Sequence, residues 1–555
     1  MYIRETTGTL ADGSKVKYVQ LCHNCWDSEA GYSKTRVIYS FGRKDKLDRE
    51  VLERLVNSIQ KYLYPEKAKL KKADIGNTAE FVFQLAKRYG GTYTLDKLWK
   101  MLNLDSIIGK LLKERDFEVD VERLLFTMVA NRALDPASKL AVEDWVKDEV
   151  YIPGLDSEVK VHNLYRAMDF LLEAREELEE EIFHSVSHLL NLEVDLIYFD
   201  TTSTYFEVDP SELRDEDEFR KLGYSKDKKP DLVQAVIGLA VTKEGIPIKA
   251  WVWPGNTSDM NVVQEVKDDL VGWKLGRVIS VMDRGFSSGE NKKYLQRAGG
   301  HYIMGEKLRS SKPEVKEATS RPGRYKKIKD NLRVKEVVVG DGPARNRYIL
   351  AHNTKEAKRE KEKREQIISE LKERLDSLRQ LEGKAHSKEM CKLRSHKVYG
   401  RYLRQLKDGR LKIHKMKIRE DKKYDGKYLI QTSDDMIKPA DAALGYKQLV
   451  DIEDAFRTLK QDFSIRPVYY RLKKRIKSHI LLNWLALLLI RIAENETDMT
   501  WRKMRHELNQ IQVGKFIFNS GQVYQTTDIS KKCSDILDML GIEKPPQFPE
   551  INENS

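Results

Sequence analysis

Val278-Ile279-Ser280-Val281-Met282-Asp283 is a short β-branched, apolar run that stops on a carboxylate. A run of that length and composition reads as a buried strand. Val194-Asp195-Leu196-Ile197-Tyr198-Phe199-Asp200 repeats the pattern and also ends on an acid. Between the two, Leu232 to Val241 and Ile248 to Trp253 read as strands joined by a Lys243-Glu244-Gly245 turn, and Val262 to Leu270 carries a helical stripe. After Asp283, Gly289 to Arg297 reads as a helix and His301-Tyr302-Ile303-Met304 as a fifth strand. The order β-β-β-α-β-α-β predicts an α/β domain with a mixed sheet flanked by helices.

That order is the one of an RNase H-like core, and it puts two carboxylates into one sheet. If the first and fourth strands are neighbours, Asp200 and Asp283 face each other at one sheet edge. Carboxylates so placed repel; a shared divalent cation relieves them, and hard oxygen ligands select Mg²⁺ or Mn²⁺. Two such ions about 3.5–4 Å apart stabilise both the attacking and the leaving oxygen of a phosphoryl displacement. Either Asp alone also fits an ordinary turn or cap.

A third segment adds to the pair. Tyr446, Leu449, Glu453, Arg457 and Lys460 step by three and four residues, so they share one stripe of an α-helix. The stripe sets a carboxylate among a phenol and two cations. Its plainer reading is an exposed helix face with a Glu453–Arg457 salt pair.

The wording around these residues resembles a known family. Tyr198-Phe199-Asp200-Thr201-Thr202-Ser203 and Met282-Asp283-Arg284-Gly285-Phe286 resemble the first two catalytic motifs of bacterial insertion-sequence transposases of the DDE type. The third motif of those enzymes is a Tyr-Arg-Glu-Lys signature, matched here by Tyr446, Glu453 and Lys460, with Leu449 in place of the Arg. Arg457, one turn beyond Glu453, is the candidate replacement. Gly223-Tyr224-Ser225-Lys226-Asp227, Pro254-Gly255-Asn256-Thr257-Ser258-Asp259, Ile465-Arg466-Pro467-Val468-Tyr469 and Asn131-Arg132-Ala133-Leu134-Asp135-Pro136-Ala137-Ser138-Lys139 extend the likeness over residues 35 to 545. It is nearest the sixteen-thirty-four branch of the insertion-sequence-four superfamily.

The resemblance implies a DNA transposase that cleaves at the element ends and transfers the freed strands to target DNA. Asp200, Asp283 and Glu453 would be both catalytic residues and metal ligands, for two Mg²⁺ ions with Mn²⁺ as a substitute. Tyr446, Arg457 and Lys460 would contact DNA. Implied partners are inverted-repeat DNA at the element ends, target DNA, and a second copy of the chain in the DNA complex. The implied setting is cytoplasmic, without a membrane. The rivals are a nuclease that cuts without strand transfer and a non-catalytic DNA-binding descendant.

The rest of the chain divides by period. Residues 1–68 alternate apolar and polar, as in Lys15-Val16-Lys17-Tyr18-Val19-Gln20-Leu21, predicting a small antiparallel β module. Residues 69–190 turn helical, with Phe81, Leu85, Leu95 and Leu98 beginning the stripes of a candidate DNA-binding domain. The catalytic core takes 191–309 and 441–495, and 310–440 interrupts it as an insertion domain. That insertion holds a hairpin, a charged helix from about Ile367 to Leu381 capped by Gly383, and a basic tract from Lys392 to Lys427. The charged helix reads either as a solvated hairpin packed on itself or as a dimer or DNA contact. Residues 496–555 form a mixed α+β extension.

Composition agrees with this division. The formal net charge of +13 favours a polyanionic partner. The start lacks the apolar stretch of a secretory signal, and Ile480 to Ile490 is short for a membrane span and reads as a core helix. Four cysteines exclude a disulfide framework, and Cys22-His23-Asn24-Cys25 has no second pair to complete a zinc site, so it reads as a turn between strands.

Overall fold

The structure, a computed structural model, describes residues 2–9, 15–27, 32–47, 56, 82–113, 115–189, 196–208, 219–271, 273, 278–342, 345–466, 468–518 and 521–553. The chain splits into two compact units: Met1–Ala86, Gly514–Thr526 and Pro546–Ser555 in one, Lys87–Val513 and Thr527–Pro545 in the other.

The first unit opens with an antiparallel sheet of β1 (Tyr2–Thr9), β2 (Lys15–Asp27) and β3 (Tyr32–Arg43). Cys22 is buried within β2 and pairs with Tyr2 and Val37, so the Cys-x-x-Cys stretch is strand and not the expected turn. β4 (Val82–Arg88) is a second correction, because Leu85 had read as part of a helical stripe. Phe81, which began that stripe, lies outside the described residues. β4 takes its partners from the far end of the chain, which local periodicity cannot register.

In the second unit, six α-helices among the described residues precede the large sheet: α1 (Gly90–Met101), α2 (Leu104–Leu112), α3 (Val121–Leu134), α4 (Lys139–Asp144), α5 (Val161–Glu173) and α6 (Arg175–Leu189). The expected alternation follows as β5 (Leu196–Tyr205), β6 (Gln234–Val241), β7 (Pro247–Pro254), α7 (Val263–Val271), β8 (Ile279–Met282), α8 (Gly289–Leu295) and β9 (His301–Glu306). Val194 and Asp195, read as the start of the first strand, lie outside the described residues. Every residue of β6 is buried, as a strand covered on both faces requires. In space the strands run β7-β6-β5-β8-β9. β5 pairs parallel with β8, and β8 parallel with β9, while β6 is antiparallel to β5 and β7.

The segment read as interrupting the core adds to the same sheet. It contributes α9 (Pro313–Ser320), β10 (Lys326–Lys329), β11 (Leu332–Val339), β12 (Asn346–Asn353), α10 (Thr354–Leu378), α11 (Gly383–Ser395), the short pair β13 (Leu403–Gln405) and β14 (Leu411–Ile413), α12 (Lys415–Lys422) and β15 (Lys427–Thr432). β15 pairs antiparallel with β9, so the nine-stranded sheet continues as β9-β15-β12-β11-β10. Leu371, Leu375 and Leu378 of α10 pack with Leu393 of α11 in a core of their own. Gly383, expected to cap the charged helix, instead opens α11 at φ 55°; α10 has already ended at Leu378.

The chain returns to the large sheet through α13 (Pro439–Lys447) and α14 (Leu449–Gln461), then enters α15 (Lys473–Thr497). α15 is apolar enough to cross a membrane by length and composition, yet 89% of its apolar window is buried against protein. It packs on α3, α5 and β7, as expected for a core helix. α16 (Trp501–Leu508), β16 (Gln512–Phe518), β17 (Gly521–Thr526), α17 (Lys531–Met539) and β18 (Glu550–Glu553) finish the chain, and the sheet β18-β17-β16-β4 joins its two ends.

Candidate active site

Register brings the two aspartates together. The parallel pairing of β5 with β8 ends at Phe199 opposite Met282. Asp200 and Asp283 are the next residue on each strand, at the same height. Phe199 and Met282 belong to the core beneath α7 and α8. By strand alternation the two carboxylates project from the other face, where α14 packs on β5. Asp200 is not at a strand end, however. β5 runs on to Tyr205, with Asp200 paired to Leu239 of β6. Only its parallel neighbour stops there.

Asp200, Asp283 and Glu453 all line one cavity of about 270 Å³, with Tyr428, Tyr446 and Leu449 among its other walls. Glu453 reaches it from α14, whose buried face is Ile452, Ala455, Phe456 and Leu459. Among the described residues no three His, Cys, Asp or Glu side chains form a closed metal cluster. The three carboxylates ring an open space instead.

The expected single helix from Tyr446 to Lys460 is two helices meeting at Gln448. The Tyr198 hydroxyl on β5 donates to Gln448 Oε1 at 2.7 Å and ties that junction to the sheet. The polar side chains of the stripe are accordingly used in different ways. Tyr446 Oη donates to Asp283 Oδ1 at 2.7 Å, and its ring stacks on Tyr428 with centroids 5.9 Å apart. Burial and the Asp283 charge push this phenol up, so it stays a donor. Gly305 on β9 makes room for it, since a Cβ there would stand 2.1 Å from the Tyr446 oxygen. Lys460 turns away and bonds Asp227 Oδ1 at 2.8 Å, a carboxylate it shares with Arg466. Burial raises the Asp227 carboxyl, but the bonds from Arg466 and Lys460 hold it below its usual range. Arg457 is exposed and pairs with Asp454 at 2.7 Å, not with Glu453.

Sequence reasoning missed the other side of the site. Lys226 Nζ donates to the Thr201 carbonyl at 2.7 Å and lies 3.3 Å from Asp259 Oδ2 and 3.9 Å from Asp200 Oδ1. The Thr201 hydroxyl bonds Asp259, and the Thr201 N–H bonds Asp200 Oδ1 at 2.7 Å. Burial pushes the Asp200 carboxyl up to about 6 against the pull of Lys226 and the Thr201 N–H, with Asp259 and Asp283 adding to the rise. Lys226 and Asp259 sit in the stretches of family resemblance, but nothing in their spacing says that both fold back onto β5.

The sequence profile of the Transposase DDE domain family matches residues 200–489, from the first aspartate into the buried helix α15. The chain belongs to this family. A second profile, that of the IS1634 family transposase N-terminal domain, matches residues 3–67 and supports the branch expected from the motifs. This chain is therefore an insertion-sequence DNA transposase. No curated protein matches it. The piggyBac transposase, solved by cryo-electron microscopy as a synaptic complex with hairpin DNA, aligns with 75% of this transposase and 79% of its own chain. Its identity is 14% and its TM-score 0.35, a likeness too distant to carry any inference.

Proposed function

We propose that this transposase cleaves DNA at insertion-sequence ends and joins the freed 3′ ends to target DNA, using Asp200, Asp283 and Glu453. The carrying observation is that carboxylates from β5, from the end of β8 and from α14 open onto one cavity. The strand order β7-β6-β5-β8-β9 supports an RNase H-like core. DDE transposase domains use divalent metal ions, and three hard-oxygen carboxylates around one open space fit Mg²⁺ or Mn²⁺, with room for two. When bound, such ions supply Lewis acidity to the attacking hydroxyl and charge compensation to the phosphate.

The protein's own groups do the positioning. The Tyr446 phenol fixes one oxygen of Asp283, whose side chain lines the cavity. Thr201 and Lys226 hold Asp200 from the opposite side. α14 presents Glu453 from a helix anchored by its apolar face. The cavity takes a phosphodiester of end DNA, in a complex with a second copy of the chain.

The test is a pair of assays on one set of variants, Asp200→Asn, Asp283→Asn and Glu453→Gln. Each should lose end cleavage and strand transfer while binding terminal-repeat DNA within about twofold of wild type. Cleavage retained by any one of them sinks its assignment. Cleavage by wild type without strand transfer favours the plain nuclease.

A further inference from the structure

None of the residues from Asn131 to Lys139 lines the catalytic cavity, yet two of them are buried cations. α3 ends at Leu134, and Asn131 ties the turn that follows. Its Nδ2 donates to the Asp135 carbonyl at 2.8 Å, and its Oδ1 accepts the Ala137 N–H at 3.2 Å. The turn brings Arg132 of α3 near Lys139 of α4, and both lie within electrostatic reach of His479 on α15. Arg132 and His479 are 5% exposed and Lys139 is 2% exposed.

This cluster holds no acid. Lys139 Nζ and Arg132 Nε have no hydrogen-bond partner, and among the described residues no carboxylate pairs with either side chain. Arg132 Nη2 reaches Asn131 Oδ1 at 3.5 Å, beyond the usual length of a hydrogen bond. Tyr470, between α14 and α15, lays its ring against His479 with centroids 5.3 Å apart and feels the Arg132 charge. Burial pushes its phenol up to about 12, so the hydroxyl keeps its proton.

Buried cations are ordinarily paired, because taking charge out of water is costly. Burial, and then the Arg132 charge, push the Lys139 ammonium well down. Burial and both cations push His479 the same way. Each cation thus worsens the position of its neighbours, and a single anion among them relieves all three. Shape narrows the choice. The guanidinium fork matches two oxygens of a tetrahedral oxyanion, while ammonium, imidazole and phenol bring further donors from other segments. Burial decides the source, since side chains so little exposed admit a small free ion and not the backbone of a duplex.

We infer that Arg132, Lys139, His479 and Tyr470 form a site for one free oxyanion of the phosphate class. The ion ties α3 and α4 to α15, the helix that follows the one bearing Glu453 and packs on β7. The site shares no residue with the catalytic cavity.

The experiment uses the full chain, freed of phosphate and sulfate, in equilibrium dialysis against labelled inorganic phosphate. About 0.3 M potassium gluconate screens the exposed basic patches. Wild type should retain about one phosphate per chain, and its Tm should rise by about 3 °C or more at saturating phosphate. Lys139→Met should lose both the retained phosphate and the rise, and it should fold, since apolar replacement of a buried charge is usually tolerated. Should it fail to fold, Tyr470→Phe should weaken phosphate about tenfold, the scale of one hydrogen bond to a charged group, and an unchanged affinity overturns the inference. No retained phosphate in wild type, or equal retention by Lys139→Met, overturns it too. So does displacement of the phosphate by an added DNA duplex, which makes the ligand DNA. A Lys139→Met chain more stable than wild type in saturating phosphate marks a buried neutral amine and has the same force. Each of these results leaves the transposase reading standing.

Discussion

Asp200 and Asp283 stand at the same height on neighbouring strands, yet the structure treats them in opposite ways. Asp283 receives a hydrogen bond from a half-buried phenol that stays protonated. Asp200 is crowded by Asp259 and Asp283, and burial outweighs the help of Lys226 and the Thr201 N–H. One carboxylate is oriented by a fixed donor. The other is left with charge it cannot fully accommodate, and added positive charge settles it. The contrast teaches that identical residues in one site meet different surroundings, a phenol donor on the Tyr446 side and a raised carboxyl on the Lys226 side.

The largest effect should come from removing either charge. Asp200→Asn and Asp283→Asn are each expected to slow end cleavage roughly a thousandfold, a loss of about 4 kcal/mol of transition-state stabilisation. Equal losses sharpen the comparison, because both carboxylates are then indispensable. A Tyr446→Phe variant should cost about tenfold, the scale of one hydrogen bond to a charged group. Gly305→Ala should imitate it, since its methyl meets the phenol oxygen. If Gly305→Ala cleaves like wild type, Tyr446 is not the group that orients Asp283.

The Asp200 side is read by pH. Its folded pKa of about 6 lies above the ordinary 3.8, so the folded state holds more protons and, for this group, stability falls as pH rises between those values. A divalent cation reverses that penalty only where Asp200 is ionised. The rise in Tm on adding Mg²⁺ should therefore be full above about pH 7 and fade as pH falls through 6. Lys226 lowers this pKa, so Lys226→Met should move the fade to higher pH. A cation effect that is flat in calorimetry from about pH 5 to about pH 8 breaks the comparison. The smallest effect belongs to Arg457. Its exposed pair with Asp454 should contribute at most about 1 kcal/mol to stability. If Arg457 touches DNA, Arg457→Ala also lowers the slope of log affinity against log salt by about one unit. An unchanged slope leaves it a surface charge.

The order of strands in the catalytic half was legible because each strand is a short apolar run, although only Asp283 closes one and Asp200 lies within β5. Local pattern could not give the Phe199–Met282 register, which is what sets Asp200 beside Asp283. Spacing by three and four placed Tyr446 and Lys460 on one stripe, but it had no means of seeing the junction at Gln448. Nor could it see Asp227, 233 positions from Lys460, which takes that lysine for the loop before β6. The same limit hid β4 and the continuation of the sheet through β15, both formed by pairing between distant segments. Contacts of long sequence separation leave no periodic trace.

β15 lies against β9 in a ladder from Leu429 opposite Glu306 to Thr432 opposite Ile303. The segment between Asp283 and Glu453 is therefore no pendant on a tether. It is bolted to the strand next but one to Asp200, and a backbone ladder has little give along its length. Any grip that α10 and α11 take on DNA stands at a set offset from the point of cutting.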